Sequence, residues 1–168
     1  MKKNNFLQLK GYGDFVILVA VLNYLGIDDR ARIFISKHLV DLAMVINVRG
    51  LSRAEFIELN VLKSGVPALF DIKKQGLKNA VRSLIELSKS LRSQPWQNYI
   101  VDNFSVRESF LSFLSSKTLV GIPRQSSIYE SYANFFNSTI VDQSSHAAST
   151  VRKVSSFKHK RVTIFPRS

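Results

Sequence analysis

The residue types best suited to chemistry lie near the N-terminus, in the segment Lys10-Gly11-Tyr12-Gly13-Asp14. Glycines let a backbone approach a ligand closely, and a helix that begins after such a turn presents free N–H groups. An aspartate at that place repels phosphate but can accept a proton from a hydroxyl group. A dinucleotide-binding loop needs a third glycine where Val16 stands, and a Walker loop needs Gly-Lys-Ser/Thr. Neither nucleotide-binding motif is therefore present.

Asp14 has two interpretations that the residues alone leave open. It precedes a long apolar run, and aspartate is a favoured helix N-cap, a role that stabilises a helix by about 1 kcal/mol. Ligands of open α/β sheets bind outside the carboxyl ends of the strands, so a carboxylate there can also act as a general base. Gly11 and Gly13 are likewise either simple turn residues or part of a ligand-binding loop.

Strands and helices alternate along the chain, and these elements must position the candidate residues. Alternating or short apolar runs predict strands, and apolar residues at helical spacing predict helices. We predict strands over residues 5–10, 32–36, 68–72, 99–101 and 117–122, and helices over residues 15–25, 38–48, 77–91, 106–114 and 127–136. Residues 54–62 fit a strand or a short helix. The alternation indicates an α/β fold with a Rossmann-like, mainly parallel sheet and helices on both faces.

Two helix ends carry recognisable capping signals. Gly26 closes the first apolar run and is a good residue for the position just after a helix. Ser105 is followed three residues later by Glu108, which is the capping-box pattern at the start of a helix.

The C-terminal part of the sequence differs in composition from the rest. Residues 138–160 are rich in serine, lack long apolar periodicity and end in a basic cluster, which is typical of a connector. Residues 161–165 (Arg-Val-Thr-Ile-Phe) then have the pattern of a strand with no helix after it. We therefore expect an α/β domain over residues 1–137, a basic connector over 138–160 and, over 161–168, the first strand of a missing second domain.

Charge and composition limit the classes of function. The net charge of the 168 residues is +12, and the last 18 residues hold Arg152, Lys153, Lys158, Lys160, Arg161 and Arg167 without any acid. Such a charge can bind nucleic acid, anionic lipid head groups or a phosphorylated glycolipid, or can simply be a solvated surface. The sequence has no cysteine, which excludes disulfides and thiolate chemistry. Its histidines, His38, His146 and His159, are too scattered to suggest a metal site.

The sequence resembles the bacterial glycosyltransferases that include the lipopolysaccharide heptosyltransferases. In that family the first strand leads into a loop ending Gly-Asp at the head of the first helix, as Gly13-Asp14 does after Phe6-Leu7-Gln8-Leu9-Lys10. The second domain of the family opens with a hydrophobic strand ending in proline and small residues, to which residues 162–168 are similar. The resemblance implies the N-terminal half of a GT-B fold, in which this half binds the acceptor and the other half binds the nucleotide-sugar.

The resemblance also implies roles for individual residues. Asp14 would be the general base that deprotonates the acceptor hydroxyl, and Lys10, Gly11, Tyr12 and Gly13 would contact the acceptor. The expected acceptor is lipopolysaccharide or another glycan or glycolipid, and the nucleotide-sugar donor would bind only with the second domain. We therefore expect no cofactor and no metal in this half, and no sugar transfer by the chain alone.

Location and partners follow from the same considerations. The apolar stretch at the N-terminus is interrupted by Gln8, Lys10 and Gly11, so neither a signal peptide nor a membrane span is predicted there. We expect a cytoplasmic protein, with peripheral contact to the anionic inner membrane left open. Nucleic acid is not the partner that the resemblance favours. The alternative functions are a basic nucleic-acid-binding domain and a non-catalytic interaction module on the same fold.

Overall fold

A computed structural model of the protein describes residues 3–59, 66–123, 127 and 130–136. These residues form one sheet of five strands with helices on both faces. The strands are β1 (Asn4–Gln8), β2 (Ala31–Ser36), β3 (Glu55–Leu59), β4 (Asn98–Val101) and β5 (Thr118–Gly121). The helices are α1 (Tyr12–Tyr24), α2 (Val40–Val48), α3 (Ile72–Gln75), α4 (Leu77–Arg92) and α5 (Val106–Ser115), and residues 130–136 are also helical.

The sheet is parallel throughout, with the strand order β3-β2-β1-β4-β5. The chain builds outward from β1 to β2 and β3, then crosses back and builds outward from β4 to β5. The direction of winding therefore reverses between β1 and β4, which is a topological switch point of the kind where α/β proteins bind ligands. The predicted α/β fold with a Rossmann-like parallel sheet is confirmed.

Side-chain alternation along the strands supplies a separate core for each face. One core lies between the sheet and the helices α1, α2 and 130–136, and its fully buried members include Phe6, Phe15, Leu22, Ile33 and Leu39. The other lies between the sheet and α4 and α5, and includes Phe34, Leu59, Leu87, Leu91, Tyr99 and Leu111. Both faces of the central strands are therefore apolar, as a doubly covered sheet requires.

The end of α1 confirms the role predicted for Gly26. This residue has φ +64°, in the left-handed region that glycine adopts without a Cβ penalty. Its N–H donates to the carbonyl of Asn23 at 3.0 Å, and the N–H of Ile27 donates to the carbonyl of Leu22 at 3.0 Å. This pair of bonds is a Schellman motif, which satisfies two carbonyls at the end of the helix.

The start of α5 confirms the predicted capping box. Ser105 is the N-cap, and its hydroxyl accepts the N–H of Arg107 at 3.4 Å. The carboxylate of Glu108 accepts the N–H of Ser105 at 3.0 Å. These bonds explain why Glu108, a charged residue, is buried at 4% exposure.

The prediction of a strand over residues 68–72 is wrong. Ala68–Phe70 form a 3-10 turn, and Ile72 begins the short helix α3. Ala68 and Leu69 are buried, so the apolar run reflects a turn packed under α4 rather than a strand. A short apolar run does not by itself distinguish these structures. The segment 54–62, for which the sequence left strand and helix open, contains the strand β3. The helix expected from residue 38 begins with a 3-10 turn at Lys37–Leu39.

The predictions for the C-terminal part fall on residues that the structure does not describe. The connector over 138–160 and the strand within 161–168 lie outside the described residues, and they stay predictions. Among the helices of the described part, none is long and apolar enough to cross a membrane.

Candidate functional site

The candidate site lies at the carboxyl ends of β1 and β4, where the winding of the sheet reverses. The turn after β1 passes through Lys10 and Gly11 into α1, and β4 is followed directly by Asp102. Parallel strands place their carboxyl ends at one edge, so the two segments lie side by side above the switch point. Ile72, expected from the sequence at the tip of a neighbouring strand, belongs to α3 instead.

The start of α1 corrects the N-cap interpretation of Asp14. The N-cap is Gly11, which has an extended backbone, and its carbonyl accepts the N–H of Phe15 at 3.3 Å. Asp14 is the third residue of the helix and caps no backbone N–H. A carboxylate in the first turn still interacts favourably with the helix dipole. The sequence misplaced the start of the helix because glycine at residue 11 provides the extended N-cap conformation without any capping side chain.

Asp102 is fixed by a tyrosine from the helix of residues 130–136. The hydroxyl of Tyr132 donates to Oδ1 of Asp102 at 3.2 Å, and the Tyr132 side chain is buried. Burial raises the pKa of Tyr132, and the Asp102 carboxylate raises it further through its charge and its hydrogen bond. The negative charge of Asp14 also contributes to this increase. Both carboxylates therefore lie near one phenol, which stays protonated and serves as a donor.

Gln8 completes the group on the same face of the sheet. Phe6 of β1 is paired with Ile100 of β4, and both belong to the core under α1. Successive side chains of a strand point to opposite faces, so Gln8 and Asp102, each two residues further on, return to the face of α1. We call Gln8, Asp14, Asp102 and Tyr132 the switch-point cluster.

A histidine from the 3-10 turn after β2 supports the turn that leads into α1. Nε2 of His38 lies 2.8 Å from the carbonyl oxygen of Lys10, and Nδ1 lies 2.9 Å from Oγ of Ser36. A carbonyl can only accept, so Nε2 donates to Lys10, and Nδ1 shares a hydrogen bond with the Ser36 hydroxyl. The ring of Tyr12 packs edge-on against His38, with centroids 5.5 Å apart. The turn at Lys10 and Gly11 is therefore anchored through His38 to Ser36 of β2.

The same edge carries a small, largely apolar recess. It has space for about one water molecule. Gln8, Lys10 and Asp102 take part in its lining, so the recess borders the polar site. Most of the remaining lining is apolar and comes from Leu7, Leu9, Phe70, Val101 and Leu111.

The structure brings together only some of the residues that the sequence singled out. Asp14 joins the switch-point cluster, Lys10 and Gly11 form the turn beside it, and Tyr12 and Gly13 begin α1. The sequence did not single out Gln8, and it placed Asp102 only directly after a predicted strand and Tyr132 only within a predicted helix. A polar residue directly after an apolar strand was the available signal for Asp102. Within the described residues, no group of three or more His, Cys, Asp or Glu side chains is placed to hold a metal ion.

Comparison with known proteins leaves the chain without an assigned family. No family model matches it, and neither a curated protein nor a solved structure gives a significant match. The functional proposal therefore depends on the geometry of the switch-point cluster and on the resemblance carried by Gly13 and Asp14.

Proposed function

We propose that this chain is the acceptor-binding domain of a glycosyltransferase, with Asp14 as the general base. The observation that carries the proposal is the state of the Asp14 carboxylate. It lies at the head of α1 beside the switch point, and it makes no hydrogen bond or ion pair with any described residue. A carboxylate with no structural partner at the ligand-binding edge of an α/β sheet is available for a substrate.

The chemistry follows from what a free carboxylate can do to a hydroxyl. As the acceptor oxygen attacks the anomeric carbon of the donor, Asp14 takes the hydroxyl proton. The bond between that carbon and the nucleotide phosphate breaks, and the nucleotide leaves with the electron pair. Base assistance of this kind typically accelerates a reaction by about 10²- to 10⁴-fold. The donor would be a nucleotide-sugar bound by a second domain, as the resemblance to heptosyltransferases implies.

The surroundings of Asp14 suit a glycan or glycolipid acceptor. Gly11 and Gly13 leave the turn without side chains, and a Cβ built at either would meet nothing within 4 Å. Tyr12 is exposed on the same turn and offers a ring face to a sugar. Lys10 can pair with a phosphate or carboxylate of the acceptor.

The experiment that tests the proposal compares Asp14→Asn with the parent sequence. It requires an enzyme in which this chain is followed by a donor-binding domain, because the chain alone should transfer no sugar. We expect turnover to fall by about 100-fold or more, the loss typical for a general base. Full turnover by Asp14→Asn, or robust transfer by the 168-residue chain alone, would overturn the proposal.

A second candidate function is polyanion binding, and it is favoured by the net charge of +12. Binding of nucleic acid through lysine and arginine weakens steeply with salt, because neutralised phosphates release counterions. Titration of the chain with RNA, DNA and anionic vesicles at several salt concentrations separates the candidates. A steep salt dependence for nucleic acid, with no effect from substitution of Asp14, would favour a nucleic-acid-binding domain. Binding to anionic vesicles alone would favour the peripheral membrane contact.

A further inference from the structure

The amide of Gln8 is a buried polar group without a partner. Gln8 is the last residue of β1 and is 2% exposed, and its Nε2 has no hydrogen bond among the residues that the structure describes. A buried donor without an acceptor costs free energy, and native proteins contain few of them. Such a group at the ligand-binding edge of a sheet calls for an explanation beyond folding.

Asp102, which directly follows the adjacent strand β4, has hydrogen-bonding capacity to spare. Asp102 holds the hydroxyl of Tyr132 with Oδ1, and its Oδ2 has no hydrogen bond to a described residue. Gln8 ends β1, Asp102 directly follows the adjacent strand β4, and both residues line the same recess. The pair therefore offers one amide donor and one carboxylate acceptor at the same edge of the sheet.

This donor and acceptor pair defines the chemistry of its ligand. A hydroxyl group can accept from Nε2 of Gln8 and at the same time donate to Asp102. A carboxylate has no proton to donate at neutral pH, and any anion, phosphate included, is repelled by the charges of Asp102 and Asp14. A hydroxyl-bearing, uncharged group therefore fits the pair, and an anion does not.

We propose that Gln8 and Asp102 bind one hydroxyl group of a sugar ring and thereby determine which sugar the site accepts. This inference rests on the proposed function, because it places that hydroxyl on the same acceptor sugar whose reacting hydroxyl meets Asp14. Gln8 donates to the oxygen of this second hydroxyl, and Asp102 accepts its proton without removing it. The buried amide finds its partner only when the ligand is bound.

The test is a titration of the full 168-residue chain, labelled with nitrogen-15, followed through the side-chain amide signal of Gln8. The probes are the methyl glycosides of glucose, galactose and mannose at up to about 50 mM, which detects dissociation constants in the millimolar range. Inorganic phosphate serves as the anionic control. We expect at least one glycoside to shift the Gln8 amide signal and phosphate to leave it unchanged.

Three substitutions separate ligand binding from folding. Gln8→Met and Asp102→Asn should each weaken binding of the responding glycoside by about tenfold, the loss of roughly one hydrogen bond. Tyr99→Phe is the matched control, because the Tyr99 hydroxyl is also buried without a partner but lies in the core of the opposite face. It should leave glycoside binding unchanged.

The outcomes distinguish this inference from the proposed function. An unshifted Gln8 signal with all three glycosides, an equal shift with phosphate, or unchanged binding by Gln8→Met would overturn the inference. If glycosides bind as expected but turnover does not depend on Asp14, the proposed catalytic role fails while the sugar site stands. If turnover depends on Asp14 but Gln8→Met binds the acceptor normally, only the present inference fails.

Discussion

Acidic residues form ion pairs at the amino edge of the sheet, whereas two acids at the carboxyl edge form none in the part of the chain that the structure describes. At the amino edge, Glu55 at the start of β3 accepts from Lys3 and from Arg32, both at 2.9 Å. Asp28, buried before β2, accepts the backbone N–H of Arg53 at 2.7 Å and its guanidinium at 3.2 Å. Burial alone would raise the pKa of Asp28, but the bonds from Arg53 outweigh it, and the pKa is lowered.

The carboxyl edge has acids without such partners. Neither Asp14 nor Asp102 forms an ion pair within the described residues, and Gln8 lacks a partner for its amide. Unsatisfied buried groups reduce stability, and one of them, Oδ1 of Asn5, also lies at the amino edge. The edges therefore differ in the pairing of their acids, and this difference is consistent with the proposed binding role of the carboxyl edge.

The largest expected change in stability comes from removing the Asp28 carboxylate at the amino edge. Asp28→Ala leaves the backbone N–H of Arg53 without its acceptor, and such losses cost about 1–3 kcal/mol. Urea unfolding followed by circular dichroism should show a decrease of about 2 kcal/mol in the free energy of unfolding. A change within about 0.5 kcal/mol, the usual effect of a surface substitution, would show that this edge is not held by its paired charges.

A change of opposite sign is expected at the carboxyl edge. Gln8→Met replaces the unpartnered amide with an apolar group of similar shape, which removes a desolvation cost. We expect the free energy of unfolding of the ligand-free chain to rise by about 1 kcal/mol. A clear loss of stability in Gln8→Met would mean that the amide contributes to folding, and the contrast between the edges would weaken.

The pH dependence of stability should report the environment of Tyr132. Its pKa in the folded chain is raised above the ordinary value of 10.0, so the unfolded chain ionises first as the pH increases. Stability is unaffected below about pH 9 and falls as the pH increases beyond about 10. Thermal unfolding measured across this pH range should show a smaller loss of stability in Tyr132→Phe than in the parent chain. The same slope in both proteins would place Tyr132 in water rather than beside two carboxylates.

The smallest effect concerns the exposed ion pairs of Glu55. Lys3 and Arg32 hold the pKa of this carboxyl below its usual value, but its side chain is 43% exposed. Exposed pairs contribute about 0.2–1 kcal/mol and are screened by salt. Glu55→Gln should therefore lower stability by about 0.5 kcal/mol in dilute buffer and by less in molar salt. A loss of stability that persists at high salt would indicate that Glu55 contributes through its packing rather than through its charge.

The fold could be predicted from the sequence because its signals are local and repeated. Strand and helix patterns alternate, and Gly26 and the Ser105 capping box mark helix ends through residues only a few positions away. The prediction of a strand over residues 68–72 failed because a short apolar run also suits a buried turn. The start of α1 was misplaced because an N-cap glycine leaves no side-chain signal.

The candidate site could be predicted only in part. The glycine turn and Asp14 form one continuous segment, and the edge rule for α/β sheets indicated their location. Tyr132 and Asp102 meet across 30 residues of chain, and no local pattern reports such a contact. The unpartnered state of Gln8 depends on everything packed around it, so it becomes visible only once the sheet order is known.

The central claim is that Asp14, which has no partner among the described residues, is the catalytic base, and it is tested most directly by comparing two matched substitutions. Asp14→Asn and Asp41→Asn each neutralise an aspartate in the first turn of a helix, in α1 and α2 respectively, and only Asp14 lies at the switch point. Turnover and thermal stability are measured on both proteins, joined to a donor-binding domain. We predict similar, small changes in stability, with turnover falling by about 100-fold or more only in Asp14→Asn. Equal turnover in the two variants would contradict the account.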